Sequence, residues 1–147
     1  MDGNGTLIRN IAIVVRPRSL EALDQGDSMR SWLKKKGLDS FVATTDDPNL
    51  QRAISDKEID LLLALGGDGT MLRAGHLAAP HGLPILGINM GRFGFLMQLA
   101  RDDWMEFLPR LLDGDFKVET RMMLKAAQMR GDKLLSTHQV INEVVVC

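Results

Sequence analysis

Cysteine is nearly absent from this 147-residue sequence, with Cys147 standing alone. No intrachain disulfide can form, and a reducing, cytoplasmic compartment is the expectation. Charge of one sign is lacking too: 18 Lys and Arg face 19 Asp and Glu, leaving a net charge of -1. Without a broad positive field to hold a phosphate backbone, a dedicated nucleic-acid module is not expected, although a local site can still bind a small anion. Long apolar runs are missing, and stretches such as Leu61 to Leu65 have only strand length, which speaks against a membrane span. Met1 to Thr6 shows no basic segment with an apolar core behind it, so secretion is not expected either. His76, His81 and His138 are scattered without metal-ligand spacing, and no protein-held metal site is expected.

The patterning that is present belongs to an α/β protein. Ile11 to Val15 is a continuous, mostly β-branched run, suited to a strand covered on both faces. From Ser19 the apolar positions Leu20, Leu23, Met29, Trp32 and Leu33 recur at helical intervals. Lys34 to Lys36 suit the negative end of that helix and Gly37 its cap, while Gly26 weakens its middle. Phe41 to Thr45 predicts a second strand, Asp46 to Asn49 a turn into a short helix, and Ile59 to Leu65 a third, buried strand. A helix from about Met71 to Ala79, a strand from Pro84 to Ile88 and a helix opened by a capping box over Asp103 to Glu106 complete the series. This order predicts a Rossmann-like parallel sheet with helices over residues 1–114.

After Gly114 the texture changes. Phe116 to Met129 and His138 to Val146 read as two long strands joined through the turn signal Arg130-Gly131-Asp132-Lys133. Two strands alone are marginal in water, so residues 115–147 are expected to begin a β-rich domain whose remainder is absent.

Three blocks carry chemistry. Gly66-Gly67-Asp68-Gly69-Thr70 lies between a buried strand and a helix, where ligands bind in open α/β sheets and where a helix start offers free N–H groups to an anion. It is neither a Walker loop, since no Lys follows, nor a dinucleotide fingerprint, since Leu72 replaces the third glycine. A carboxylate here opposes the anion it faces, which gives Asp68 a reason only if it binds metal or removes a proton from an attacking hydroxyl. A tight turn with Asp68 capping the helix explains the same residues. The second block, Gly87 to Leu96, follows the next strand and offers Phe93 and Phe95 for stacking and Arg92 for phosphate. The third, Asn142-Glu143, places two adjacent polar side chains on opposite faces of an apolar strand, for a ligand or for structure.

Together and in this order the blocks resemble the NAD kinase family. The first is shared with the wider superfamily of diacylglycerol kinases, sphingosine kinases and phosphofructokinases; the other two are more particular to NAD kinases. Lipid kinases of the superfamily typically carry Gly-Thr-Gly-Asn-Asp where Gly87-Ile88-Asn89-Met90-Gly91 stands here. The resemblance implies transfer of a phosphoryl group from ATP, or polyphosphate, to the adenosine ribose 2′-hydroxyl of NAD, with Mg²⁺ accompanying the ATP. It implies Asp68 as catalytic residue and Gly66, Gly67, Gly69, Thr70 and Arg73 as phosphate-binding. Asp68, Gly69, Phe95, Asn142 and Glu143 would contact NAD. It further implies a homo-oligomer and a chain that is only part of the enzyme. A catalytically silent nucleotide-binding module, or another kinase of the superfamily, remain as alternatives.

Overall fold

The computed structural model describes residues 7–91, 94–141 and 144–145. The chain divides into two compact units, Met1–Lys117 and Val118–Cys147.

The first unit is a parallel sheet covered on both faces. Its strands are β1 (Asn10–Val15), β2 (Asp39–Thr44), β3 (Leu61–Gly66), β4 (Ile85–Asn89) and the short β5 (Leu99–Ala100), in the order β2-β1-β3-β4-β5. Ile11, Ile13 and Val15 alternate with Ala12 and Val14, and all five are buried, as a strand between two helical layers requires. The odd-numbered set packs with α1 (Leu20–Lys35) and α4 (Trp104–Leu112) through Met29, Leu33, Trp104 and Leu108. The even-numbered set packs with α2 (Pro48–Ser55) and α3 (Asp68–Ala78) through Leu50, Ile54, Ala74 and Ala78.

Local chemistry sets most element ends. Ser19 accepts a hydrogen bond from Ala22 N–H at the start of α1, and Asp47 accepts one from Asn49 N–H at the start of α2. Gly26 is buried within α1, where an added Cβ would lie 3.2 Å from Val42 Cγ1. Its apparent weakness as a helix residue is the condition for α1 to lie close on β2. The capping box expected at α4 does not form. Asp103 is in helical conformation and makes no side-chain cap; its carboxylate instead accepts from Ala100 N–H at 3.3 Å.

The second unit contains an antiparallel hairpin, β6 (Leu124–Arg130) and β7 (Lys133–Val140), turning at Gly131 and Asp132. The turn lies where expected, but the strands do not extend as the pattern suggested. Residues 116–123 have no strand partner and stay irregular, whereas 133–137 are strand because a two-residue turn brings them directly opposite β6. Leu124, Met129, Leu134 and Leu135 are exposed on this hairpin.

Candidate active site

The sheet order reverses direction between β1 and β3. Chain connections leave β1 toward β2 on one side and β3 toward β4 on the other, opening a crevice at the carboxyl ends. A cleft of about 330 Å³ occupies this point, lined by Arg16 and Pro17 after β1, Thr45 after β2, and Gly67, Gly69, Thr70 and Arg73 after β3.

The glycine motif takes its shape from the junction of β3 and α3. Gly67 is extended and is the N-cap, and Met71 N–H reaches Gly67 C=O at 3.1 Å, so α3 starts at Asp68 rather than at Met71 as expected. Asp68, Gly69 and Thr70 are therefore the first helical residues and not loop. Gly66 leaves no room for a side chain unless α3 shifts, because a Cβ there would lie 2.8 Å from Thr70 Cβ. Met90 N–H donates to Gly66 C=O at 2.8 Å, which joins this motif to the block after β4.

Because Asp68 opens a helix, helical geometry separates it from its sequence neighbours. Gly69, Thr70 and Arg73 lie within about 100° of one another around the axis, and Asp68 with Met71 is centred roughly 180° away. The first set lines the cleft. The second meets the other glycine block: Met71 Sδ would lie 3.3 Å from a Cβ on Gly87, and the Asp68 carboxylate accepts hydrogen bonds from Phe95 N–H and Leu96 N–H, both at 3.0 Å. The carboxylate thus does not oppose an anion in the cleft. It anchors a loop on the opposite side of the helix start.

That loop is held a second time by Gln98. Gly87 N–H donates to Gln98 Oε1 at 2.6 Å, Gln98 N–H donates to Gly87 C=O at 3.0 Å, and Gln98 Nε2 donates to Leu96 C=O at 2.9 Å. Between these anchors Phe95 stands 94% exposed. An apolar ring so presented can pack on a flat ligand surface.

On the cleft side, Asp46 is held below the ordinary carboxylate range, chiefly by the Thr44 hydroxyl at 2.6 Å, then by its own backbone N–H and by the positive charge of Arg73. With Arg16, Arg73 and the first turn of α3 beside it, the cleft is predominantly electropositive.

The structure therefore brings Gly67, Gly69, Thr70 and Arg73 together in one cleft, with Gly66 directly beneath Thr70, and brings Asp68 to the loop carrying Phe95. Asn142 and Glu143, and also Arg92 and Phe93, lie outside the described residues. Arg16, Thr45 and Gln98 were not singled out by sequence reading. Arg16-Pro17 read only as a strand terminator, although a basic residue at the carboxyl end of the first strand was a signal available to be weighed.

Fold and cleft define a class: a doubly wound α/β domain with a cleft lined by two arginines and a helix start at its switch point. Residues 44–116 match the family model of the ATP-NAD kinase N-terminal domain, a span that includes both glycine blocks. The chain is 34% identical over 142 residues to an NAD kinase of Heliobacterium modesticaldum, covering 92% of this chain and 50% of that protein. It is 35% identical over 141 residues to one from Nitratidesulfovibrio vulgaris, covering 96% and 50%. A yeast NADH kinase solved in complex with NADH shares the fold, with a TM-score of 0.69 at 18% identity over 92% of this chain and 47% of that one. The chain belongs to the NAD kinase family, and it spans about half the length of the curated relatives it matches.

Proposed function

We propose that the protein carrying this chain is an NAD kinase, which transfers a phosphoryl group from ATP or polyphosphate to the 2′-hydroxyl of the adenosine ribose of NAD. One observation carries this reading: the first turn of α3 has an electropositive cleft on one side and a carboxylate beside an exposed aromatic loop on the other. The donor's phosphates lie against Gly67, Gly69, Thr70 and Arg73, with free N–H groups of the helix start among their partners. NAD lies on the Asp68 side against Phe95, and the family resemblance adds Asn142 and Glu143, outside the described residues, as candidate NAD-binding residues.

Asp68 accepts the proton of the ribose hydroxyl as its oxygen bonds to phosphorus, and the bond to the donor's bridging oxygen breaks. Each carboxylate oxygen accepts one hydrogen bond from a backbone N–H and retains a lone pair for this hydroxyl. Mg²⁺ brought in with the nucleotide would be held mainly by the donor's phosphates and would supply neutralisation of their charge. Among the described residues no three His, Cys, Asp or Glu side chains are grouped to hold an ion.

A homo-oligomer in the cytoplasm is part of the same reading. Among the described residues no helix is long and apolar enough to cross a membrane.

The test is incubation of the protein with Mg-ATP and NAD, reading NADP by an NADP-specific coupled dehydrogenase. A second reading, a silent nucleotide-binding module, draws on the engagement of both Asp68 oxygens by the backbone. ATP binding without NADP formation would select it.

A further inference from the structure

The loop that carries Phe95 is tied to α3 on one side and to the sheet edge on the other, and both ties pass through the Leu96 peptide. Leu96 N–H donates to Asp68 Oδ1 at 3.0 Å, and Leu96 C=O accepts from Gln98 Nε2 at 2.9 Å. The other end of the Gln98 amide, Oε1, accepts from Gly87 N–H at 2.6 Å. A continuous line of hydrogen bonds therefore runs from β4 through Gln98 and Leu96 to the Asp68 carboxylate.

The strand pairing makes room for a side chain in this line. β5 pairs with β4 only at Ile88 and Asn89, so Gly87 stands one residue before the ladder. A backbone donor at such a place needs an acceptor, and the Gln98 amide supplies it. Gln suits the position because its amide accepts at one atom and donates at the other; an ionised Glu only accepts, and Met offers no donor. Two glycines clear the path. A Cβ on Gly87 would lie 2.9 Å from Gln98 Oε1, and a Cβ on Gly94 would lie 3.0 Å from Asp68 Oδ1. Gln98 itself is exposed, so core packing does not account for the arrangement.

We infer that Gln98 is a positioning residue for Asp68. Its amide holds the Leu96 peptide by the C=O, which keeps the Leu96 N–H aimed at Oδ1 and so fixes the direction in which the carboxylate presents its remaining lone pairs. Without the amide the Leu96 peptide can turn, and the carboxylate turns with it. The consequence for turnover rests on the kinase reading, because a base acts only from a defined position. The hold on the Leu96 peptide is independent of any reaction.

The protein carrying this chain is compared with two variants by residue-resolved hydrogen exchange and by the NADP-forming assay. Gln98→Met keeps the length of the side chain and removes the amide. Exchange at the Gly87 and Leu96 amides should then accelerate by about tenfold, while β1 and β3 amides and the denaturant midpoint stay as in the unaltered protein. In the same variant kcat should fall by about tenfold with KM for ATP unchanged. Gln98→Glu at neutral pH should leave Gly87 protected, accelerate exchange at Leu96, and lose kcat as Gln98→Met does. Retained protection of Leu96 in Gln98→Met overturns the inference, and so does a normal kcat with Leu96 exchanging freely. Acceleration spread evenly over β1 and β3 also overturns it, since Gln98 would then stabilise the sheet as a whole. If the unaltered protein forms no NADP, the kinase reading fails, and the Leu96 comparison still decides whether Gln98 holds the peptide bound to Asp68.

Discussion

Replacing Asp68 by Asn separates the anchoring role that the geometry shows for this carboxylate from the base role proposed for it. As the proposed base, Asp68 would take a proton from the ribose hydroxyl; an amide cannot, and the loss of a positioned general base costs about 10²- to 10⁴-fold in turnover. As an anchor, it accepts N–H bonds from Phe95 and Leu96 at 3.0 Å, one on each oxygen. Asn keeps one acceptor oxygen and turns an NH₂ group toward the other N–H. One hydrogen bond to a charged group is lost, about 1.5 to 3 kcal/mol if fully expressed, and less here because Phe95 and its surroundings are exposed. The anchor at Gln98 remains, so the loop should open more often without leaving the sheet edge. In Asp68→Asn, kcat should therefore fall at least about a hundredfold, KM for NAD should rise several-fold, and KM for ATP should change little. Hydrogen exchange at the Phe95 and Leu96 amides should accelerate by about tenfold, while β1 and β3 amides keep their protection. Near-normal kcat would refute the base assignment. Unchanged exchange at these two amides would refute the anchor.

Three further outcomes follow from the same geometry. Gly66→Ala should lower stability by about 1 to 3 kcal/mol in denaturant unfolding, because the new methyl meets Thr70 Cβ at 2.8 Å on a buried strand end; wild-type stability would show that α3 yields freely. Asp46 has its carboxyl lowered in the folded state, so its contribution is present above the unfolded value of about 3.8 and is lost as pH falls through the folded value. Asp46→Asn should thus unfold more easily than wild type at neutral pH and converge with it in strong acid, and a difference that persists at the acid end would contradict this. Asn142→Ala should weaken NAD binding by about 1 to 3 kcal/mol with ATP binding unchanged, measured by titration of the protein carrying this chain; equal weakening of both ligands would indicate a structural role.

The sheet and its helices were legible in the sequence because their determinants are local. Ile11 to Val15 and Leu61 to Leu65 are apolar runs that only a strand covered on both faces accommodates, and the periodic Leu23, Met29 and Leu33 specify a helix face. The glycine blocks after β3 and β4 could be placed at strand ends for the same reason. What sequence could not decide is which strand ends adjoin. Arg16 and Thr45 meet Thr70 and Arg73 because the order is β2-β1-β3, a non-local outcome of packing both sheet faces. The hairpin strands likewise acquired their limits from pairing rather than from apolar content. Most consequentially, Asp68 and Thr70 are two residues apart in sequence and face opposite sides of α3. That separation exists because the helix begins at Asp68, where Gly67 supplies the extended cap and the Met71 N–H closes the first turn. Sequence determined that a carboxylate and a hydroxyl would share one motif; the tertiary structure decided that they would not share one side of it, since about 100° of rotation per residue turns sequence neighbours toward different partners.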